Sequence, residues 1–446
     1  MSKITHIRKR SGAMVPFKPA RIQNAIYRAA VAVGGRDQET AKYLANQVVK
    51  FLEETCTENH IPNIEEIQDA VEKILIEKGH SKVAKAYILY REESNRRRRE
   101  KSKLASRPSD NIPWAKIWHV LDRAVTHNVH TVEALNARIA DGEFPHIVHE
   151  GEAAYEDNLL TAAEMIIERE GKVKMVMISG PSSSGKTTTT IKIEQRLKTK
   201  GYKFVALNVD HYFFDLSEHP KDEYGDYDFE TPQALDLELI NEHLVKLSAG
   251  EEVMIPFYDF KTGTRTLNHT KMKLEKNDIL LIDSLHGLFP DFSKDIPDEQ
   301  KFKIYIEPLL QLKDKDGNYV RWTDLRLIRR MLRDAAHRSY DPRQTLEHWH
   351  YVRASELRNI IPYNSTADYI INSGMPYELP LYAARMSKQF AEWEEKYNGD
   401  PEREDAYTRA ARVNKLLASI TPIEDDSPVP KDSVLREFIG GSCFKY

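Results

Sequence analysis

Residues 180–187 read GPSSSGKT and match the pattern G-x-x-x-x-G-K-[ST], between an apolar run at 173–178 and a helical pattern at 188–197. Glycines let such a loop curl around phosphate groups, and its amides and the following helix N-terminus supply positive potential. We expect Lys186 to reach the β- and γ-phosphates of ATP and the Thr187 hydroxyl to ligate Mg²⁺. A chance Gly/Ser-rich turn does not account for the flanking strand and helix. Kinases, GTPases and motors share such loops, so the acceptor side must decide among them.

Two aspartates follow apolar runs later in the chain. Asp210 comes after the run 204–209, and Asp283 ends the run 278–282. Ligands of open α/β sheets bind at the carboxyl ends of the strands. We expect Asp210 to accept the proton of an acceptor hydroxyl, and Asp283 to hold Mg²⁺ directly or through water. The alternatives are a helix-capping role for Asp210 and a surface turn at Asp283.

Residues 323–338 form a helical pattern dense in arginine, with Arg326, Arg330 and Arg333 on one face. A helix of this kind taken alone predicts a solvated charged face. Beside a phosphate loop, the same arginines can supply cations to a transferring phosphoryl group, and a mobile helix can exclude water from it. We therefore expect an arginine-bearing lid.

Composition limits the class of protein. A chain of 446 residues predicts two or three domains, and a net charge of −4 gives no general reason for nucleic-acid or membrane partners. The two cysteines, Cys56 and Cys443, lie near opposite ends and suggest no disulfide framework. Since no apolar run approaches the about 20 residues of a membrane span, we expect a cytoplasmic protein.

The pattern of apolar, helical and turn-forming residues along the chain predicts four regions. Residues 1–98 open with a short β-like run that turns at Ser11-Gly12, and helical patterns follow at 20–32, 41–52, 64–76 and 81–97. A turn-rich stretch then marks a boundary, and residues 99–170 read as a helical connecting region. Residues 171–424 alternate short apolar runs with helical stretches, which is typical of a parallel sheet with helices on both faces. The turn-rich residues 425–446 predict a mobile tail.

Several ordered motifs between residues 173 and 374 resemble the uridine kinase and phosphoribulokinase family. They are GPSSSGKTT, NVDHYF, YDFETPQALD, IPFYDFKTGTR, TDLRLIRRMLRD and ADYIINSG. The resemblance implies a P-loop kinase domain that uses ATP and Mg²⁺ and phosphorylates an alcohol. The predicted fold class is α/β. The kinase domain has a parallel sheet with helices on both faces and is preceded by a small, mostly helical domain.

The resemblance also implies roles for individual positions. Catalytic residues would be Lys186, Asp210 and Arg333, and Mg²⁺ would be held by Thr187 and Asp283. ATP would contact Gly180, Ser182, Ser183, Ser184, Gly185, Lys186, Thr187, Thr188, Arg333 and Arg338. The acceptor would contact Asp210, Tyr212, Tyr258, Phe260, Arg265, Arg330 and His348.

Two positions depart from uridine kinases. Gly263 stands where they carry a base-contacting His, and His348 stands where they carry a Gln that reads the pyrimidine edge. A site that loses such partners loses discrimination. Uridine or cytidine is therefore the leading acceptor, and another small alcohol, such as a phosphoglycerate- or sugar-type acceptor, stays open as the alternative.

The N-terminal residues resemble the ATP-cone of ribonucleotide reductases, through IRKRSG at 7–12, VPF at 15–17 and residues 84–91. That resemblance implies a nucleotide-sensing domain that responds to ATP or dATP, with Lys9, Arg10 and Lys18 as phosphate contacts, and a homo-oligomer. The alternative is a basic hairpin on a helical dimerisation domain that binds no nucleotide. A third hypothesis for the whole chain is a nucleotide-sensing regulator with weak catalysis, against which the intact Lys186 and Asp210 argue.

Overall fold

The structure is a computed structural model that describes residues 4–9, 14–55, 61–100, 111–169, 171–219, 227, 229–337 and 341–445, with side chains undescribed at 93–100 and 337. These residues form two compact units. The first comprises residues 1–109, 213–236 and 259–265, and the second comprises residues 110–212, 237–258 and 266–446.

The first unit contains a two-stranded antiparallel sheet and four helices. The strands are β1 (His6–Arg8) and β2 (Met14–Pro16), and the helices are α1 (Pro19–Val31), α2 (Gln38–Thr55), α3 (Ile64–Glu77) and α4 (Ser81–Glu100). Their apolar faces share one core that includes Ile26, Val48 and Leu75. All four helical patterns are therefore confirmed, while the Ser11-Gly12 turn lies outside the described residues.

Local sequence signals fix the ends of these helices. Pro19 begins α1, where its missing amide hydrogen costs nothing. Asn63 and Glu66 form a reciprocal capping box at the start of α3, with bonds of 3.0 and 2.8 Å. Gly34 adopts φ +84° just after α1, a conformation that costs glycine little.

The second unit is built on a five-stranded parallel sheet in the order β4-β7-β3-β8-β9. Its strands are β3 (Met175–Ser179), β4 (Lys203–Asn208), β7 (Asp278–Ser284), β8 (Lys301–Glu307) and β9 (Tyr369–Asn372). The central strand β3 is buried at every residue, as a strand covered on both faces must be. A separate two-stranded sheet pairs β5 (Val253–Asp259) with β6 (Thr264–Met272). The predicted α/β class is confirmed.

Helices surround the parallel sheet. They are α5 (Trp114–Thr126), α6 (Val132–Ala140), α7 (Phe144–Glu168), α8 (Lys186–Lys198), α9 (Leu237–Ser248), α10 (Trp322–His337), α11 (Pro342–Asn359), α12 (Glu378–Tyr397), α13 (Glu404–Leu417) and α14 (Arg436–Ile439). Helices α5–α7 bury side chains such as Leu135 and Leu159 in the same core as the sheet. The segment predicted as a connecting region is thus part of the kinase core, because its apolar stripes face the sheet. No helix within the described ranges is both long and apolar enough to span a bilayer.

The C-terminal segment is packed, contrary to the prediction of a mobile tail. Val434 and Leu435 are fully buried, and Phe438 is 1% exposed. Arg436 donates to the carbonyl oxygens of Asp426 and Val429, each at 2.8 Å. The turn residues that suggested mobility instead direct short apolar runs into the core.

Candidate active site

The phosphate loop leaves β3 and enters α8 with the backbone conformations that its glycines permit. Gly185 has φ +91°, a left-handed conformation, and a Cβ there would overlap Val434. A Cβ on Gly180 would overlap the carbonyl oxygen of Ile306 on the adjacent strand. Both positions therefore require glycine for steric reasons.

Three serines of the loop are buried. Among the described residues, the Oγ atoms of Ser183 and Ser184 have no hydrogen-bond partner. Ser183 also adopts φ +59°, which is uncommon for a residue with a side chain. Buried hydroxyls without partners cost free energy unless a ligand satisfies them. The loop thus has unsatisfied polar atoms at the place where a phosphate group would lie.

Lys186, Thr187 and Asp283 meet at the start of α8. The Thr187 Oγ1 atom donates to Asp283 Oδ2 at 3.1 Å, and the Lys186 Nζ atom donates to the Pro181 carbonyl oxygen at 3.3 Å. The parallel pairing of β7 with β3 and β4 places Asp283 opposite Ile178 and Asn208. The sheet register thus sets the metal candidate beside the phosphate loop, as the sequence predicts.

The Asp283 carboxyl lies in an unusual electrostatic environment. Burial raises its pKa to about 6, Lys186 and Thr187 act to lower it, and the carboxylates of Glu437 and Asp210 act to raise it further. Two negative neighbours and one ammonium group around a buried carboxylate form a site suited to a divalent cation. The alternative that Asp283 lies in a surface turn is excluded, since the residue lies within strand β7.

Asp210 lies two residues beyond the end of β4, in a 3₁₀ turn at Val209–Tyr212. Its backbone amide donates to Asn208 Oδ1 at 3.0 Å, and the residue is exposed. Asn208, two residues before Asp210, pairs with Asp283 across the parallel strands β4 and β7. The structure therefore brings the candidate base to the same edge of the sheet as the phosphate loop.

His211, which sequence reasoning did not single out, directly follows the candidate base Asp210. Its Nδ1 atom accepts a hydrogen bond from the Tyr258 amide at 3.3 Å, and its ring lies 5.1 Å from the Phe257 ring. Burial lowers the pKa of the His211 imidazole, which favours its neutral form. Tyr258 itself is 2% exposed, and the hydroxyl of Tyr212 bonds His243 at 2.9 Å. The signal in the sequence was the unbroken run NVDHYF, which places His211 next to Asp210.

The arginines of α10 divide into two classes. Arg326 and Arg329 are fully buried and form ion pairs with Glu356 and Glu378. Arg326 also donates to the Ser182 carbonyl oxygen at 3.0 Å, and this bond helps to hold the backbone of the phosphate loop in place. The alternative of a solvated charged face is therefore excluded for Arg326 and Arg329.

Arg330 and Arg333 are half-buried on the same helix. The Arg330 Nη1 atom donates to Ser182 Oγ at 3.2 Å, and Arg333 Nε donates to Asp334 at 2.9 Å. Arg330 thus contacts the phosphate loop directly. His348 is half-buried on α11, with its ring 6.1 Å from that of Tyr351.

Several residues predicted to bind the acceptor or a nucleotide belong to the first unit or lie outside the residues that the structure describes. Phe260 is 61% exposed, and Arg265 bonds Asp236 at 2.8 Å. Lys18 is exposed and directly precedes α1, and Lys9 is half-buried after β1. The predictions for Arg10 and Arg338 fall outside the described residues.

Thr188 and Glu437 form a contact that the sequence did not predict. The Glu437 carboxylate accepts from the Thr188 amide at 3.2 Å and from its hydroxyl at 2.8 Å. A carboxylate at a helix N-terminus is stabilised by the helix dipole. Since both donors of Thr188 already bond Glu437, the structure does not support Thr188 as a phosphate ligand. The 249-residue separation leaves no local signal for this pair.

A cavity of about 440 Å³ opens at the carboxyl ends of β8 and β9, and helices α5 and α7 form its other walls. Its lining includes Ala154, Leu310, Gln311, Asn372 and Gly374. The volume is within the range of small-molecule sites. Sequence reasoning found no chemical motif in α5 and α7, because a cavity wall needs only shape and a few polar groups.

Comparisons with known proteins agree with this geometry. Residues 175–379 match the phosphoribulokinase and uridine kinase family, and residues 5–96 match the ATP cone domain. A uridine kinase of Bacillus pumilus is 31% identical over 204 residues, which cover 46% of this chain and 88% of that protein. The chain belongs to the phosphoribulokinase and uridine kinase family. It is therefore a phosphotransferase with an alcohol group as acceptor.

Two further comparisons name proteins of the same kind. A uridine kinase of Chloroflexus aggregans is 30% identical over 216 residues, covering 48% of this chain and 93% of that protein. A solved structure described as a possible uridine kinase from Bacillus stearothermophilus has 16% identity and a TM-score of 0.34, covering 49% of this chain and 98% of that one. The matched region of this kinase family member begins at β3 and includes the phosphate loop, α10 and β9.

Proposed function

We propose that this chain transfers the γ-phosphoryl group of Mg-ATP to a hydroxyl of a small acceptor, with the 5′-hydroxyl of uridine or cytidine as the leading candidate. The observation that carries the proposal is the convergence of Lys186, Thr187, Asp283 and Asp210 at one edge of the parallel sheet. Phosphoryl transfer needs little covalent chemistry from the protein, so positioned charges of this kind supply most of the catalysis.

The residues present fit ATP and Mg²⁺. The unsatisfied hydroxyls of Ser183 and Ser184 and the glycine-only positions suit a loop wrapped around phosphates. Thr187 and Asp283 would hold Mg²⁺, which usually takes one or two protein oxygens and keeps several waters. Bound there, Mg²⁺ would neutralise charge that develops between the β- and γ-phosphates.

Asp210 is the candidate base. Its carboxylate is more exposed than that of Asp283. Asp210 follows β4, the strand that pairs with β7. In this role it orients the acceptor hydroxyl and accepts its proton as the oxygen attacks phosphorus. Arg330, which reaches the phosphate loop through Ser182, supplies positive charge on the other side.

The strand order of the sheet favours one side of the phosphate loop for the base of ATP. The phosphate loop follows the central strand β3, both candidate carboxylates lie on the β4 and β7 side, and the cavity lies at β8 and β9. We infer that the base of ATP occupies this cavity, since the acceptor needs the opposite side. Leu310 and Gly374 would then border the base, and the amides of Gln311 and Asn372 could hydrogen-bond its edge.

One observation favours the non-nucleoside alternative. Gly263 has φ +68°, and a Cβ there would lie 2.6 Å from the Leu216 Cβ atom. A histidine side chain at this position would be strained, so the turn cannot present the base contact that uridine kinases make there. The acceptor is then recognised by other groups, and a sugar- or phosphoglycerate-type alcohol remains the second candidate.

An acceptor panel tests the proposal. Release of ADP from Mg-ATP would be measured with uridine, cytidine, sugars, sugar phosphates and phosphorylated acids, with Lys186→Ala as the inactive control and Lys198→Ala, an exposed substitution on the same helix, as the matched control. We expect turnover with a nucleoside that Lys186→Ala abolishes. Turnover only with a non-nucleoside would establish the alternative. ATP binding without any acceptor-dependent ADP release would favour a nucleotide-sensing regulator.

A further inference from the structure

Two segments of the kinase sequence pack with the N-terminal domain. Residues 213–236 and 259–265, here called the acceptor segments, belong to one compact unit with residues 1–109. They contain Phe260 and Arg265, which the resemblance to uridine kinases assigns to the acceptor. The ATP cone domain therefore packs with residues that come soon after the candidate base, Asp210, in the sequence.

Arg36 is the main contact between the cone and the acceptor segments. Its Nη2 atom donates to the Gln233 carbonyl oxygen at 2.7 Å, and its Nη1 atom lies 3.5 Å from the Glu218 carbonyl oxygen. The guanidinium carbon lies 3.6 Å from the centroid of the Phe214 ring, within cation–π range. One side chain thus holds residues at both ends of the segment 213–236.

Two neighbouring side chains of the cone add to this contact. The Tyr27 hydroxyl donates to the Glu218 carbonyl oxygen at 2.7 Å, and Gln38 Nε2 donates to the Ser217 carbonyl oxygen at 2.6 Å. Tyr27 is only 4% exposed, so its hydroxyl is held in place by the packing of α1. Backbone carbonyl oxygens accept both of these bonds and the two Arg36 bonds, so the contacts constrain the backbone path of the segment.

The loop that carries Arg36 is itself fixed at both ends. Gly34 and Gly35 follow α1, and the Gly35 amide donates to the Ala30 carbonyl oxygen at 2.9 Å. Asp37 then accepts from the amide and hydroxyl of Thr40 at 3.0 and 2.6 Å, which caps α2. Arg36 therefore projects from a short, doubly anchored connection.

The acceptor segments are also tied to each other. The Leu216 amide donates to the Gly263 carbonyl oxygen at 2.7 Å, and the Arg265 amide donates to Asp215 Oδ1 at 2.6 Å. The exposed Phe260 ring lies 6.2 Å from Phe213 within an aromatic cluster. A displacement of the Arg36 contacts would consequently move Phe260 and its neighbours as well.

We propose that Arg36 and Tyr27 are positioning residues through which the ATP cone domain sets the affinity of the kinase for its small acceptor. This rests on the proposed function, because it requires the acceptor segments to bind the acceptor. Helix α1 begins next to Lys18, the predicted nucleotide contact, and reaches Tyr27 after nine residues, a rise of about 14 Å. A nucleotide phosphate at Lys18 would thereby act on the acceptor segments through one rigid helix.

Steady-state kinetics of the full chain test the proposal. Arg36→Ala removes a charged donor from two carbonyl oxygens, and we expect the acceptor KM to rise about tenfold with the KM for ATP unchanged. Arg36→Lys should recover part of the loss because it keeps the charge and one donor, and Tyr27→Phe should raise the acceptor KM about threefold. Lys50→Ala, an exposed substitution on α2, serves as the control. An unchanged acceptor KM, or equal changes for both substrates, overturns the proposal.

Hydrogen exchange separates this proposal from the proposed function. The amides of Phe214 and Leu216 donate within the acceptor segments and should exchange faster in Arg36→Ala and Tyr27→Phe, but not in Lys50→Ala. Absence of turnover in the wild-type chain would reject the kinase assignment while leaving this measurement intact. Unchanged protection of these amides in both variants would show that the cone does not position the acceptor segments.

Discussion

Asp210 and Asp283 are two aspartates at one sheet edge that the structure places in different surroundings. Asp210 is exposed and follows its strand in a short turn, whereas Asp283 is part of β7 and hydrogen-bonds Thr187. The exposed carboxylate is accessible to an acceptor hydroxyl, while the less exposed one beside Thr187 is suited to a cation. The two proposed roles, base and metal ligand, therefore have a physical cause in burial.

The role of Asp210 predicts a selective kinetic defect. Asp210→Asn keeps the size of the side chain but removes the proton acceptor, so we expect kcat to fall about 100-fold or more while ATP binding is retained. Asp291→Asn, an exposed change in another short turn, is the control. A kcat equal to that of the control would exclude Asp210 as the base.

The raised pKa of Asp283 predicts a pH-dependent stability. Burial raises this pKa from 3.8 to about 6, so the folded state retains a proton that the unfolded chain has released. The associated stability is present below about pH 4 and is lost as pH rises through about 6. In the absence of Mg²⁺, Asp283→Asn should therefore raise Tm at pH 8 and change it little at pH 4.

The control for this measurement is the same substitution in the presence of Mg²⁺. The wild-type Tm should increase with Mg²⁺ at pH 8, and that increase should disappear in Asp283→Asn because a carboxylate ligand is lost. A lower Tm for Asp283→Asn at pH 8 without Mg²⁺ would contradict the electrostatic argument.

Helix α10 combines structural and functional arginines within two turns. Arg326 and Arg329 are buried against glutamates of α11 and α12, whereas Arg330 is half-buried and contacts Ser182. Helical spacing placed Arg326, Arg330 and Arg333 on one face but did not show which of them is buried. The glutamates that pair with the buried arginines lie 30 and 49 residues away, and no periodicity locates them.

A buried ion pair predicts a large stability effect. Arg326→Met leaves the carboxylate of Glu356 buried with less compensation, and we expect the free energy of unfolding to fall by about 3–5 kcal/mol. Adding Glu356→Leu should restore most of the loss, and Arg330→Met, on the same helix, should change stability much less. Denaturant titration measures all three. Equal losses for Arg326→Met and Arg330→Met would contradict the division of roles.

The elements differ in how well the sequence predicts them. The phosphate loop is predicted in full because its residues, strand and helix are contiguous. The four helices of the cone are predicted because apolar residues recur at helical spacing in each, and α1 and α3 also have signals at their first turns, Pro19 and Asn63. The packed C-terminal segment was missed, since the burial of Val434 depends on the glycine conformation at Gly185, about 250 residues earlier. The contacts of Arg36 with the acceptor segments were missed because they join residues 182 and 197 positions apart in the sequence.

At the scale of the molecule, the five-stranded sheet separates two kinds of binding. The strand order places both candidate carboxylates on one side of β3 and the 440 Å³ cavity on the other. Helices α5 and α7, which precede the region matched to the kinase family, form much of the cavity wall. Residues outside the family region would then contribute to nucleotide binding, because they complete a site that the strands begin.

This division predicts that filling the cavity affects only one substrate. Ala154 lines the cavity from α7, and Ala154→Phe would place a ring where the base of ATP is proposed to lie. We expect the KM for ATP to rise roughly tenfold or more, with the acceptor KM unchanged, because overpacking excludes the ligand without moving the carboxylates. Leu160→Phe, an exposed change on the same helix, should leave both values as in the wild type. A rise in the acceptor KM alone would instead place the acceptor in the cavity and reverse the proposed orientation, since the phosphate loop is fixed between the two sides.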